Sequence, residues 1–176
     1  PPTNETVRTN VIEWNNGSTD FSGWKANING VDLNDQFPAG WEIERERNRK
    51  TPGPRDYGGE SPLSQPESIA MAKLTREMDF ARVLAFHTQG QEIYWGFQGL
   101  EPPESEQLVN EFARVSGYKA VQTIDSYAGY KDWFIQDWRR PGFTVELGRG
   151  TNPLPLGQFD EIYEEALGIF LVAIYS

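Results

Sequence analysis

A chain of 176 residues with one histidine, no cysteine and a net charge of -10 suffices for one domain with a sizeable core, since domains most often hold roughly 100 to 150 residues. The acidity argues against a nucleic-acid surface or a polybasic membrane patch, and the missing cysteine excludes a disulfide framework, a thiolate nucleophile and a zinc–thiolate site. The longest apolar stretch, Ala166 to Tyr175, falls far short of the roughly 20 residues that span a bilayer, and no signal-peptide pattern opens the chain.

In chain order, Pro1-Pro2-Thr3-Asn4-Glu5-Thr6 is polar and turn-rich with no initiator Met, so the chain is expected to be a piece of something longer. Up to about Ser22 it is rich in Asn, Thr and Gly with little periodicity and reads as loop. Val31-Asp32-Leu33 is a short strand candidate inside a structured loop that runs to about residue 41, with Phe37 pushed out of helix by Pro38. The run Glu42 to Lys50 reads as a solvated, self-paired charged segment without function. Thr51 to Pro62 carries too much Pro and Gly for regular structure and reads as a surface loop or lid. A helix is predicted from about Gln65 to Met78, with Pro66 in its first turn and Ile69, Met71, Ala72 and Lys73 at helical spacing. Strands are predicted at Arg82 to His87, Ile93 to Phe97, Ala120 to Ile124 and Phe143 to Leu147. Helices are predicted at Ser105 to Val115, Lys131 to Trp138 and from Phe159 onward, the last burying a face made of Ile162, Tyr163, Ala166, Leu167, Phe170, Leu171 and Ile174. This alternation predicts a single α/β domain, a sheet layered by helices with functional groups at strand ends. The six Trp and ten Phe are expected mostly in the core, although an aromatic wall for sugars is conceivable.

Two polar residues interrupt the apolar runs. Glu146 sits in Phe143-Thr144-Val145-Glu146-Leu147-Gly148, and His87 ends Val83-Leu84-Ala85-Phe86-His87. An acid and a histidine at two strand ends point to a hydrolase site. With no cysteine, one histidine, no Gly-x-Ser-x-Gly elbow and no phosphate-binding loop, a metal hydrolase is left. Catalytic zinc commonly takes three protein ligands and keeps a fourth position open, and this chain offers one such histidine. Each residue also has a plainer reading: His87 as a hydrogen-bonded structural residue, Glu146 as an edge-strand acid facing water, and Asp35 as a turn residue bonding its own backbone.

Four segments in order, Trp24-Lys25-Ala26-Asn27-Ile28-Asn29-Gly30-Val31-Asp32-Leu33-Asn34-Asp35-Gln36-Phe37-Pro38, Phe86-His87-Thr88-Gln89-Gly90-Gln91, Asp132-Trp133 and Thr144-Val145-Glu146-Leu147-Gly148, resemble the zinc carboxypeptidase family. The likeness is strongest to its bacterial branch of γ-D-glutamyl-L-diamino acid endopeptidases, which cut peptidoglycan stem peptides. The resemblance covers nearly the whole chain and implies a carboxypeptidase-like mixed α/β sheet, incomplete at its amino-terminal side. It implies that His87 is the third zinc ligand and Glu146 the general base on zinc-bound water. It further implies that Lys25 stands where the family has an arginine for the oxyanion, that Asn34 binds the substrate, and that Tyr127, with Tyr130 as a rival, is the substrate-covering tyrosine. Asp35 stands where the family clamps a terminal carboxylate with arginine. That inverted charge predicts preference for a cationic group, such as the ammonium of meso-diaminopimelate.

The family's first two zinc ligands form a His-x-x-Glu pair upstream of the Asn-Asp motif, and none exists here. The two ligands are therefore expected on an upstream segment that this chain lacks, and the chain alone is expected to be inactive. An exposed sheet edge would then be open to that segment or to self-association. The other reading is a metal-free fragment or binding module for cell-wall peptides that retains Lys25, Asn34, Asp35 and Tyr127. The cell envelope or spore fits the resemblance better than the cytoplasm.

Overall fold

The computed structural model describes residues 5–176, so the reading of Pro1–Asn4 lies outside the described residues. The chain falls into two compact units, one holding residues up to Asp79 together with Ser126–Tyr130, the other Phe80–Asp125 together with Lys131–Ser176.

In the first unit, helix α1 (Glu5–Trp14) stands where a loop is expected. Val11 is buried and Val7 and Trp14 partly so; this thin i, i+4, i+7 stripe is diluted by Thr, Asn and Glu. The strand expected at Val31–Leu33 is instead the entry to a 3-10 turn, Leu33–Asp35. Asp32 decides this, because its Oδ1 accepts from the Asn34 N–H at 3.2 Å and draws the backbone into a turn rather than a ladder. The charged run is also corrected: Trp41–Arg47 forms helix α2. Glu42 and Glu44 lie in the first turn and Arg45 and Arg47 in the last, complementing the helix dipole, and Trp41 anchors it from a buried position.

The Pro/Gly-rich stretch 51–62 has no regular element, yet it is not an exposed lid, since Gly53, Tyr57, Gly58 and Gly59 are buried. The Gly58 carbonyl accepts from the Trp41 indole N–H at 3.1 Å. A Cβ on Gly58 would come within 2.8 Å of the Asp35 carbonyl, so glycine is what lets the stretch lie this close. Helix α3 (Pro66–Met78) begins on proline as expected, but it buries Ser68, Ala72 and Thr75 and exposes Ile69, Met71 and Leu74. The inversion is stabilised by hydrogen bonds. Ser68 Oγ donates to Gln36 Oε1 at 3.0 Å, and the same oxygen accepts the Ser64 and Gln65 N–H groups at 2.9 and 3.1 Å, so the fully buried Gln36 is satisfied.

The second unit is built on an open mixed sheet of four strands in the order β1–β4–β2–β3. Strands β1 (Val83–Thr88) and β4 (Gly142–Leu147) are parallel, β2 (Glu92–Tyr94) runs antiparallel to β4, and β3 (Lys119–Val121) is parallel to β2. Strand β2 stops short of Phe97, whose N–H donates to the Glu101 carboxylate at 2.9 Å. Helices α4 (Glu104–Ser116), α5 (Tyr130–Trp138) and α6 (Phe159–Tyr175) follow the predicted positions. Val109, Phe112 and Ile169 meet Ile93, Phe143 and Val145 of the sheet, with Phe112 edge-on to Phe143 at 4.9 Å. This is the α/β arrangement expected. The buried face of α6 is not: Ile169 is buried with Ile162, Ala166, Val172 and Ala173 partly so, whereas Tyr163, Leu167, Phe170, Leu171 and Ile174 are exposed. From Ala166 onward the helix is apolar all round, so periodicity cannot set its phase there. Gly168 sets it, since a Cβ there would already touch Val115 of α4 at 3.3 Å. No helix among the described residues is long and apolar enough to cross a membrane.

At the start of α5, Lys131 and Asp132 form a buried ion pair, and Lys131 Nζ also donates to the Gly96 carbonyl at 2.8 Å. Removing one partner strands the other charge in the interior. Lys131→Met is therefore expected to lower unfolding free energy by about 3–5 kcal/mol, read from the denaturant midpoint; a shift within error would show that Asp132 does not depend on the pair.

Candidate functional site

The candidate residues form two groups, one in each unit. In the sheet, Phe143 and Val145 point into the core, so Thr144 and Glu146 point to the opposite face of β4. The same alternation turns Leu84 and Phe86 of β1 coreward and His87 away. His87 and Glu146 are direct register partners, and Glu92 of β2 opposes Glu146 from the other side, which makes a row of His87, Glu146 and Glu92 across three adjacent strands. All three are half-buried. The sole histidine and the acid singled out in the sequence are thus brought together at the carboxyl ends of two parallel strands, the usual place for chemistry in such sheets.

Neighbouring groups tune this row. Tyr94 donates its hydroxyl to Glu92 Oε2 at 2.6 Å; burial first, then Glu92 and the charge of Glu146, hold that hydroxyl well above its ordinary range. The Tyr94 bond, with help from Lys119, draws Glu92 below the usual carboxylate range. Beyond the strand ends, the Gly90 N–H donates to the Gly148 carbonyl at 2.9 Å, and the peptide bond Thr88–Gln89 is cis. Gly148 has φ +64, and a Cβ there would meet Leu154 at 2.6 Å and Ile162 at 2.7 Å, so the turn after Glu146 requires glycine.

In the first unit, Asn34 is exposed and Asp35 is 8% exposed, both in the 3-10 turn. Asp35 Oδ2 accepts from Asn48 Nδ2 at 3.1 Å. Burial above all, then the charges of Asp32, Glu44 and Asp56, raise the Asp35 carboxyl to about 7 against the opposing Asn48 bond. Lys25 is exposed, its N–H donating to the Pro54 carbonyl at 2.8 Å. The Tyr127 ring lies against Gly40, where a Cβ would come within 2.4 Å, and the Arg47 guanidinium sits 5.1 Å from its centroid. Tyr130, its rival, has its hydroxyl 2.9 Å from Thr75 Oγ1 and its ring packed on Phe37.

Sequence reasoning missed Glu44 and Asn48. Both bond to candidate residues, and the signal was their i, i+4 spacing inside a run set aside as solvated charge. A cleft of about 620 Å³ lined by Val11, Ile12, Phe21, Trp24, Ile28 and Arg8 also lies in this unit, and none of the candidate residues lines it.

Metal-binding capacity is limited. Among the described residues no three His, Cys, Asp or Glu side chains are grouped to hold an ion, so the donors present do not complete a zinc site and His87 offers a single imidazole.

The sequence pattern of the zinc carboxypeptidase family matches residues 4–168. The chain is 71% identical, over 99% of its length, to gamma-D-glutamyl-L-diamino acid endopeptidase 1 of Lysinibacillus sphaericus. It is 56% identical, over 88% of its length, to the uncharacterized protein YqgT of Bacillus subtilis strain 168. It spans 44% and 42% of these relatives, less than half of either. Among solved structures, bovine thrombin-activatable fibrinolysis inhibitor in complex with tick carboxypeptidase inhibitor superposes with a TM-score of 0.65 at 21% identity, over 81% of this chain and 55% of that one. The murein-tripeptide amidase MpaA of Escherichia coli O157 superposes with a TM-score of 0.58 at 24% identity, over 84% and 60%. These two likenesses bear on the fold.

Proposed function

The chain belongs to the zinc carboxypeptidase family, and from that membership we propose that it is the carboxyl-terminal portion of a peptidase catalytic domain that hydrolyses the γ-D-glutamyl to meso-diaminopimelate bond of peptidoglycan stem peptides. The observation that carries this reading is the register pairing of the only histidine with Glu146 at two parallel strand ends, in a chain 71% identical to a protein named for that bond. Zinc, when bound, supplies a Lewis acid that lowers the pKa of its water from about 15.7 to about 7. His87 gives one donor, and the remaining ligands lie on a portion of the longer protein, so this chain alone is inactive. Glu146 takes the proton of the attacking water and returns it to the leaving amine. Lys25 steadies the developing oxyanion as a point charge, Asn34 and Asp35 hold the substrate, and Tyr127 covers it.

Two measurements test the proposal. Turnover of a stem peptide containing meso-diaminopimelate by the full-length enzyme is expected to exceed that of a plain peptide of equal length; equal rates would overturn the substrate assignment. The 176-residue chain, dialysed against trace zinc, is expected to retain far less than one equivalent by elemental analysis. A full equivalent would mean that carboxylates of this chain complete the site and that the incomplete-domain reading is wrong.

A further inference from the structure

Helix α2 connects two candidate residues that lie far apart in the chain. Asn48 Nδ2 donates one hydrogen to Asp35 Oδ2 and the other to Glu44 Oε1, each at 3.1 Å. The other oxygen of that carboxylate, Glu44 Oε2, accepts the Tyr127 N–H at 3.0 Å. The result is a continuous path, Asp35 to Asn48 to Glu44 to the backbone of residue 127, with every link a hydrogen bond to a carboxylate. We infer that Glu44 and Asn48 are positioning residues that couple the charge state of Asp35 to the segment carrying Tyr127, so that a cation arriving at Asp35 is felt at the covering tyrosine.

Three features make the path more than local tidying. The two hydrogens of one amide bridge Asp35 and Glu44, which holds the two carboxylates close, so charge on one raises the energy of charge on the other. The far end is anchored: the Phe37 N–H donates to the Ala128 carbonyl at 2.9 Å and the Ala128 N–H to the Ala39 carbonyl at 2.7 Å, which ties residues 126–130 to the segment that follows Asp35. The Tyr127 ring is then trapped between Gly40 and the Arg47 guanidinium of the same helix. The ionisable groups facing Asp35 are Asp32 of its own turn, Glu44 of α2 and Asp56 of the adjoining loop. All are acids, and Asn48 is the neutral donor among them. A cationic substrate group at Asp35 would relieve this repulsion, and Asn48 would shift its donation as the charge changes.

The substrate side of this inference rests on the reading of Asp35 and Tyr127 given above; the coupling does not. It is tested without turnover, by following the Asp35 carboxyl carbon and the Tyr127 amide by NMR through a pH titration of the 176-residue chain. The Tyr127 amide is expected to inflect at the midpoint of Asp35. In Glu44→Gln, which keeps an acceptor for the Tyr127 N–H, the Asp35 midpoint is expected to fall and the Tyr127 inflection to move with it. In Asn48→Ala the Asp35 midpoint is expected to rise and the Tyr127 inflection to disappear. A Tyr127 amide that does not titrate with Asp35, or that keeps its inflection in Asn48→Ala, would overturn the coupling. Coupling present in a protein that does not discriminate cationic substrates would leave it standing and refute the substrate reading alone.

Discussion

Replacing Glu146 by glutamine in the zinc-loaded full-length enzyme is expected to reduce kcat by about 10²–10⁴-fold, the usual contribution of a positioned proton-transfer group. KM and zinc content should change little, because in our reading Glu146 is the base and not a ligand. Stability should not fall either. Glu146 stands between His87 on β1 and Glu92 on β2, and directly opposed like charges on adjacent strands are destabilising, so removing one carboxylate is expected to stabilise the fold by roughly 0.2–1 kcal/mol. A variant that loses turnover while its thermal midpoint holds or rises would show that the acid is kept at this strand end for chemistry and at the expense of the fold. Turnover within tenfold of the parent enzyme would remove Glu146 from the mechanism, and lost zinc would make it a ligand.

The second large effect concerns Asp35 and has a definite pH window. The unfolded carboxyl titrates near its ordinary 3.8, whereas in the folded chain it is raised to about 7, by burial first and then by Asp32, Glu44 and Asp56. Between those values the folded state holds a proton that the unfolded state has released, so stability is full below the lower value, declines as pH rises and levels off above the upper one. Asp35→Asn keeps the acceptor for Asn48 and removes the titration. It is expected to match the parent protein near pH 4 and to exceed it near pH 8 by on the order of 4 kcal/mol, since the carboxyl moves from 3.8 to about 7 and each unit of pKa difference is worth about 1.4 kcal/mol. Equal stability of the two proteins across that range would place the Asp35 proton elsewhere. In the proposed reading the same titration governs recognition. Only the ionised carboxyl attracts an ammonium group, so KM for a diaminopimelate substrate is expected to fall as pH rises through about 7 and to lose that dependence in Asp35→Asn. A KM that rises over the same interval would rule out Asp35 as the cation's partner.

The sheet was legible because two periodicities coincide with chemistry. Phe143 and Val145 alternate with Thr144 and Glu146, which is enough to put the acid on the face opposite the core, and the Gly148 that follows marks the strand end. Helix α4 was legible from the Pro102-Pro103 that leads it in and from Gly117 as its stop signal. Helices α1 and α2 were not. The first shows four apolar residues among polar ones, of which Val11 alone is buried, and the second has seven residues of which one, Trp41, is buried. A helix that short does not form on propensity; it is held by the Trp41 indole bond to Gly58 and by Arg45 lying over the Trp41 ring at 5.1 Å.

What the sequence by itself determined is the identity of the chemical groups and the ends of the strands that present them: one histidine, an acid in an apolar strand, an Asn-Asp pair in a turn, and an order of motifs sufficient to place the chain in its family. The tertiary structure decided three things that no local pattern encodes. It opposed His87 to Glu146 by pairing strands more than fifty positions apart, it raised the Asp35 carboxyl by burying it among other acids, and it turned a charged run into a helix whose Glu44 reaches Tyr127 and whose capping Asn48 reaches Asp35. Each depends on distance and dielectric between residues remote in sequence, and these are fixed only once the chain has packed.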